Sequence, residues 1–187
     1  MKQSQITWWC HQVIRSQVKE GGRYIDATMG NGWDTLFLCR LAGERGRVQA
    51  FDIQQEALKK TSALLEREGL SERAELILDG HQHMDRYVRR ESVDLICFNF
   101  GYLPGGDHGI ATRAETSLAA IDTGLTLLKP GGMMSLCLYS GGDTGFEEKE
   151  QILAYTRMLS PREYTVVVHT YQNRRNDPPV PVFLFKA

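Results

Sequence analysis

The stretch Asp26-Ala27-Thr28-Met29-Gly30-Asn31-Gly32-Trp33-Asp34-Thr35 constrains the fold of this chain more than any other. A short apolar-rich run, Arg23-Tyr24-Ile25, leads into it, and an apolar helix-like run follows it. The pattern reads as strand, glycine-rich turn, helix. Gly30 and Gly32 let the backbone turn tightly and let a ligand approach bare N–H groups. Asp26, at the strand end, is placed to accept from hydroxyl or ammonium donors.

The same alternation repeats along the chain. Residues 47–53 alternate like a strand and end on an acid, Asp52, and the spacing predicts a helix over 54–68 that Gly69 caps. Residues 74–78 read as a third strand ending in Asp79-Gly80-His81. A fourth, 93–98, runs into Asn99-Phe100-Gly101-Tyr102-Leu103-Pro104-Gly105-Gly106-Asp107-His108, which is too rich in special residues to be a simple connector. A long helix is expected over 112–128, with Leu118, Ile121, Leu125 and Leu128 on one face. The turn Lys129-Pro130-Gly131-Gly132, a strand over 133–139, a helix over 145–159 and strands over 163–170 and 182–186 complete the pattern. Ahead of the first strand, Ile6, Trp9, Val13 and Ile14 predict a helix over 5–19 packed on the domain, with Trp9 in the core. His11 is open between the core and, with Trp8, a pocket lid. The 187 residues form one α/β domain with a closing hairpin and no linker or repeat.

Composition narrows the function classes. Hydrophobic residues make up 42% and charged residues 24%, the ordinary globular range. The net charge of -1 provides no global basic field, so any RNA contact must use local patches. Arg86, Arg89 and Arg90 form one such cluster and Arg174-Arg175 another; in the sheet order implied by the family resemblance given below, the second is expected beside the pocket and the first away from it. Cys10, Cys39, Cys97 and Cys137 lie far apart and form no Cys-x-x-Cys pair, which suits free thiols in a reducing cytosol. No apolar run approaches the length of a membrane span, so a soluble cytoplasmic protein is expected. His81-x-His83 lacks a third ligand, and no metal is expected.

The glycine turn meets two nucleotide fingerprints in part. The dinucleotide pattern Gly-x-Gly-x-x-Gly is matched at Gly30 and Gly32, but Thr35 stands at the third glycine. The S-adenosylmethionine (SAM) pattern, acidic-x-Gly-x-Gly-x-Gly, is met by Asp26, Gly30 and Gly32, with Thr28 and Asp34 at its outer glycines. Asp52 lies about 20 residues past the turn, where an acid binds ribose hydroxyls in both cofactor classes. Asn99-x-x-Tyr102 is similar to the Asn-Pro-Pro-Tyr signature of amino-group methyltransferases, with Phe100 and Gly101 replacing the prolines. Lys129 to Gly132 matches a turn common in class I methyltransferases. A NAD-dependent oxidoreductase and a non-catalytic RNA-binding module are the competing classes. The missing third glycine argues against the first, and the joint presence of Asp26, Asp52, Asp79 and Asn99 against the second.

Nearly the whole chain resembles the bacterial family labelled rRNA methylases, whose characterised members methylate 5-aminomethyl-2-thiouridine at the tRNA wobble position. The resemblance is carried by Asp26 to Gly32 with Asp34-Thr35, by Phe51-Asp52-Ile53-Gln54, by Asn99 to Asp107, and by the Asn- and Pro-rich segment 173–179. Trp33 departs from it, since relatives usually have His there. The resemblance implies a class I SAM-methyltransferase (Rossmann-like) sheet of order 3-2-1-4-5-7-6, mostly parallel with strand seven antiparallel. It implies SAM held by Asp26, Thr28, Gly30, Asn31, Gly32, Asp34 and Thr35, by Asp52, Ile53 and Gln54, by Asp79, Gly80 and His81, and at Asn99. Asn99, Tyr102, Asp107 and His108 are the expected catalytic residues. Tyr102, Gly105, Gly106, Asp107, Arg174 and Arg175 are expected to meet a tRNA anticodon stem-loop. Amino-group methylation of rRNA, DNA or a small molecule is the alternative, and the oligomeric state is open, a homodimer included.

Overall fold

Period-two alternation sorts each strand's side chains onto opposite faces of the sheet, and the two resulting cores organise the fold. The computed structural model describes residues 6–101, 112–140 and 145–187. Its strands are β1 (Arg23–Asp26), β2 (Arg47–Asp52), β3 (Ala74–Leu78), β4 (Val93–Phe100), β5 (Leu128–Leu138), β6 (Tyr164–Val168) and β7 (Val180–Lys186). Its helices are α1 (Ile6–Gln17), α2 (Trp33–Ala42), α3 (Gln55–Arg67), α4 (Ala114–Leu127) and α5 (Gly145–Met158). The strands form one sheet of order β3-β2-β1-β4-β5-β7-β6, as the resemblance implies. β1 to β5 pair in parallel, and β7 runs antiparallel to both β5 and β6.

On one face Ile25, Phe51, Ile96, Phe98 and Leu136 pack against Ile121 and Leu125 of α4 and Ile152 of α5. On the other face their chain neighbours Tyr24, Leu95, Cys97 and Cys137 pack against Ile14 of α1, Phe37 of α2 and Leu64 of α3. Each large side chain buried in this way contributes on the order of 1.5–3 kcal/mol.

Three expectations are corrected here. α1 presents Cys10, His11 and Ile14 to the sheet, while Trp9 is 45% exposed and meets Trp8 edge-on. The buried stripe thus runs through positions 10, 11 and 14, an equally helical spacing rotated away from the most apolar face. β4 continues to Phe100, so Asn99 is a strand residue paired with Cys137, not the start of a loop. Its backbone N–H is fixed by Thr28 Oγ1 at 2.7 Å. The turn at Lys129 to Gly132 is absorbed as an irregularity in β5, where the register shifts between Val93–Leu128 and Leu95–Met133.

Candidate active site

A cavity of about 1060 Å³ opens at the carboxyl ends of the parallel strands. The turn after β1 supplies Thr28, Met29, Gly30 and Asn31. The end of β2 supplies Asp52, Ile53 and Gln54, and the end of β3 supplies Asp79, Gly80 and His81. Asn99 of β4, Tyr139 and Ser140 after β5, and Asn176, Asp177 and Pro179 before β7 complete much of the wall.

The turn is tied together by carboxylates. Asp52 accepts the Gly30 N–H through Oδ2 and the Gln54 N–H through Oδ1, each at 2.9 Å. It therefore holds the turn after β1 against its own strand end while facing the cavity. Gly30 and Gly32 both have positive φ, 53° and 79°. They do different work, however. Gly30 lines the cavity, whereas a Cβ on Gly32 would come within 2.6 Å of Thr61 Oγ1. Gly32 is thus a close-packing position between the turn and α3, not a wall of the cavity.

Asp26 is also placed differently from the expectation. It is fully buried beneath the turn, where it accepts from Thr35 Oγ1 at 2.6 Å and from the Thr28 N–H at 3.2 Å. Burial, followed by the nearby charge of Asp34, pushes its carboxyl up to about 7. Neither Asp26 nor its partner Thr35 lines the cavity. The acid on the wall is Asp34, in the first turn of α2. Its Oδ1 meets His11 Nε2 at 2.7 Å and its Oδ2 accepts from Asn99 Nδ2 at 2.6 Å. The His11 ring stacks on Phe37, with centroids 3.7 Å apart and planes within 5°.

Asp79 is on the wall, but its acceptor positions are heavily used. Oδ1 receives the Gly80 N–H at 2.7 Å and meets His83 Nδ1 at 2.8 Å; Oδ2 receives Tyr87 Oη at 3.0 Å and lies 3.6 Å from Arg86 Nη1. The His83 hydrogen bond, above all, holds this carboxyl below its usual range. Arg86 thus reaches Asp79 from an exposed position, while neither it nor Arg89 and Arg90 lines the cavity. Burial pushes His81 down to about 4, so it is a neutral ring packed edge-on to Phe98 and Phe100. Among the described residues no group of three or more His, Cys, Asp or Glu is placed to hold a metal.

The opposite wall is secured by an ion pair whose ammonium is buried and whose carboxylate is exposed. Lys149 of α5, 5% exposed, donates to Ser140 Oγ at 2.9 Å and to both Asp177 oxygens at 2.6 and 2.5 Å. This fastens the segment before β7 to the rim, with Asn176 and Asp177 both left-handed at φ 66° and 47°. Consecutive non-glycine residues in that region are costly and cluster at functional sites. Arg174 and Arg175 lie just upstream and are exposed; the Arg174 guanidinium sits 4.5 Å from the centre of the Tyr171 ring. Trp33, Ile53 and Phe146 line the cavity yet are 63%, 62% and 56% exposed.

The structure thus brings together on one cavity Thr28, Gly30, Asn31, Asp34, Asp52, Ile53, Gln54, Asp79, Gly80, His81 and Asn99. Tyr102, Gly105, Gly106, Asp107 and His108 lie outside the described residues. Sequence reasoning passed over Tyr139, Ser140, Phe146 and Asp177 as site residues. The strand-end position of Tyr139-Ser140 was a usable signal, since ligands collect at the carboxyl ends of parallel strands; Asp177 gave none.

A sheet of this order, with a glycine turn at the end of β1 and an acid at the end of β2, defines a class I SAM-dependent methyltransferase. The cavity suits that cofactor: a glycine turn borders it next to an acid at the end of the neighbouring strand, and the space is large enough for a nucleoside and its amino-acid arm. The family model described as "Putative rRNA methylase" matches residues 48–185. The chloroplastic tRNA (mnm(5)s(2)U34)-methyltransferase of Arabidopsis thaliana is 37% identical over 185 residues, covering 94% of this chain and 67% of that protein. The crystal structure of a "putative rRNA-methylase" from Clostridium thermocellum superposes with a TM-score of 0.95 at 42% identity, covering both chains completely. That of a "putative methyltransferase" from Streptococcus mutans in complex with SAH superposes at 0.88 with 34% identity, again over both whole chains. The chain belongs to this methyltransferase family, and SAM is its cofactor. No helix among the described residues is long and apolar enough to cross a membrane.

Proposed function

We propose that this methyltransferase acts on the primary amine of 5-aminomethyl-2-thiouridine at the tRNA wobble position. The observation that carries this reading is Asn99: an amide on the cavity wall at the end of β4, anchored through its backbone and through Nδ2. The Arabidopsis relative, named for a methylated wobble uridine, supports the choice of substrate.

Asp52 and the Gly30 backbone, with Ile53 and Gln54, hold the cofactor, the carboxylate on its ribose hydroxyls. The bound cofactor supplies a methyl group already activated on a sulfonium. The protein's own task is to present a neutral amine in line, since correct placement alone can lower a barrier by several kcal/mol. An alkylamine has a pKa near 10.4 and is mostly protonated at neutral pH, so the site must select the neutral form or take its proton. Asn99 Oδ1 accepts an amine N–H and thereby aims the lone pair. Asp107 or His108 takes the proton directly or through water. Tyr102 stacks on the base, as aromatic residues do for unstacked bases. Trp33 and Phe146 add exposed aromatic faces at the rim. Arg174 and Arg175 meet backbone phosphates beside them.

The test is methyl transfer from SAM to tRNA carrying the 5-aminomethyl-2-thiouridine, read by mass spectrometry of the digested nucleosides. The expected product is the wobble nucleoside one methyl group heavier, and the same nucleoside should be missing from a deletion strain. Methyl incorporation into rRNA alone, or none into the amine-bearing tRNA, would overturn the assignment.

A further inference from the structure

The N-terminal helix reaches the site through a chain of side chains that no motif predicts. His11 of α1 meets Asp34 of α2, and Asp34 meets Asn99 of β4, at 2.7 and 2.6 Å. We propose that Asp34, backed by His11, is a positioning residue that sets the Asn99 amide so that Oδ1 faces the acceptor amine. This rests on the role assigned to Asn99 above.

Donor and acceptor matching decides which way the Asn99 amide faces. An Asn side chain has a donor end and an acceptor end of nearly equal size, and its orientation is decided by its partners. An ionised carboxylate only accepts. Asp34 Oδ2 can therefore meet the Asn99 amide only through Nδ2, which turns Oδ1 to the other side. Among the described residues Oδ1 receives no hydrogen bond, and Asn99 lines the cavity. The strand pairing and the bond from Asn99 N–H to Thr28 Oγ1 fix the backbone beneath it.

Asp34 is itself held on its other oxygen. His11 must carry its hydrogen on Nε2 to bond an acceptor-only group, and the ring is fixed by burial and by its stack on Phe37. The remaining groups whose charge or proton feels Asp34 are Asp26 beneath the turn, Cys97 on β4, Cys137 on β5 and Tyr139 just after it. None of them supplies a cation to Asp34, so His11 is its one basic partner among the described residues. An oriented acceptor matters for this chemistry because a flipped amide would aim its N–H donors at the amine's lone pair and tie up the electrons that must attack the methyl group. Oriented partners behind a functional group typically contribute about 10–100-fold in activity at metal sites, and a similar scale applies here.

The test compares Asn99→Ala, Asp34→Asn, His11→Phe and His11→Gln in methylation of amine-bearing tRNA, with SAM affinity measured by calorimetry. Asp34→Asn gives both amide orientations a partner, and His11→Phe keeps the stack while removing the donor. Both should lower kcat by about 10–100-fold with KM for tRNA and SAM affinity within about threefold of wild type. His11→Gln, which can still donate, should recover part of the loss. Asp34→Asn on top of Asn99→Ala should add nothing, because the two act as one unit. A second readout needs no turnover: the Asn99 side-chain amide in a 15N spectrum, assigned by its disappearance in Asn99→Ala, should shift and exchange faster in Asp34→Asn. If Asn99→Ala retains wild-type turnover, the role of Asn99 fails. If Asn99→Ala is inactive while Asp34→Asn and His11→Phe turn over normally with an unmoved amide signal, the positioning proposal alone fails.

Discussion

Replacing Asp52 with alanine separates a cofactor contact from a loop clamp, because the structure gives this carboxylate two backbone hydrogen bonds before any ligand is considered. Hydrogen bonds to a charged group contribute about 1.5–3 kcal/mol each, but the freed Gly30 and Gln54 N–H groups border the cavity and can be rehydrated. The net cost to stability is therefore about 1–3 kcal/mol, a fall in Tm of roughly 2–12 °C for a domain of this size. If the carboxylate also accepts from the ribose, SAM affinity falls by about 10–100-fold as well, since each 1.4 kcal/mol is a factor of ten. Asp52→Asn is the informative companion. Its one carbonyl can hold the Gly30 or the Gln54 N–H, not both, so it should sit between wild type and alanine in Tm. Calorimetry with SAM and SAH, at a temperature where each variant is fully folded, reads the binding; thermal melts read the clamp. A variant that melts lower yet binds SAM with unchanged affinity would refute the ribose contact and leave Asp52 as a structural tie.

Three further outcomes follow from the same structure. Asp26 titrates near 7 when folded and near 3.8 in its ordinary state, so the native protein holds the extra proton and stability falls as pH rises between those values. Asp26→Asn should flatten that fall, by at most about 1.4 kcal/mol per pH unit, and melting curves of wild type and variant that stay parallel from pH 5 to 8 would contradict it. At the opposite rim, Asp177→Asn should destabilise more than Lys149→Met, about 2–3 against about 1 kcal/mol or less, because it strands a buried ammonium while the reverse change leaves a carboxylate that water can reach. Equal losses in urea unfolding would mean the ammonium is not buried as described. Replacing Arg174 and Arg175 together with alanine should weaken tRNA binding and flatten its salt dependence by at most about two in slope, leaving SAM affinity unchanged; binding with wild-type strength and slope would move the RNA to another face.

The pattern of these dependencies explains what could be read from the residues alone. The strands and the place of the cavity were legible because they rest on local signals, namely period-two apolar runs, glycines at the turns, and acids closing β1, β2 and β3, whereas the sheet order came with the resemblance. The resemblance supplied the crossing of β7 between β5 and β6. What was not legible is which polar atom faces the cavity. Two acids flank the glycine turn, Asp26 and Asp34, and local spacing favours the one that ends the strand. Tertiary pairing reverses the choice. Asp26 is enclosed by Thr28 and Thr35, close in sequence and both donors, whereas Asp34 is drawn to His11 and Asn99, 23 and 65 residues away. The same holds for Trp9 and His11, where a small rotation of α1 exchanges the exposed and buried faces. It holds again for Asp177, whose place on the wall depends on Lys149, 28 residues upstream on a different element. Side chains that satisfy one another across distant elements decide the fine geometry of a site, and a one-dimensional pattern carries no record of those distances. For this chain that means the strand ends point to the cavity, while the carboxylate that meets Asn99 on its wall is held by a histidine of α1, far away in sequence.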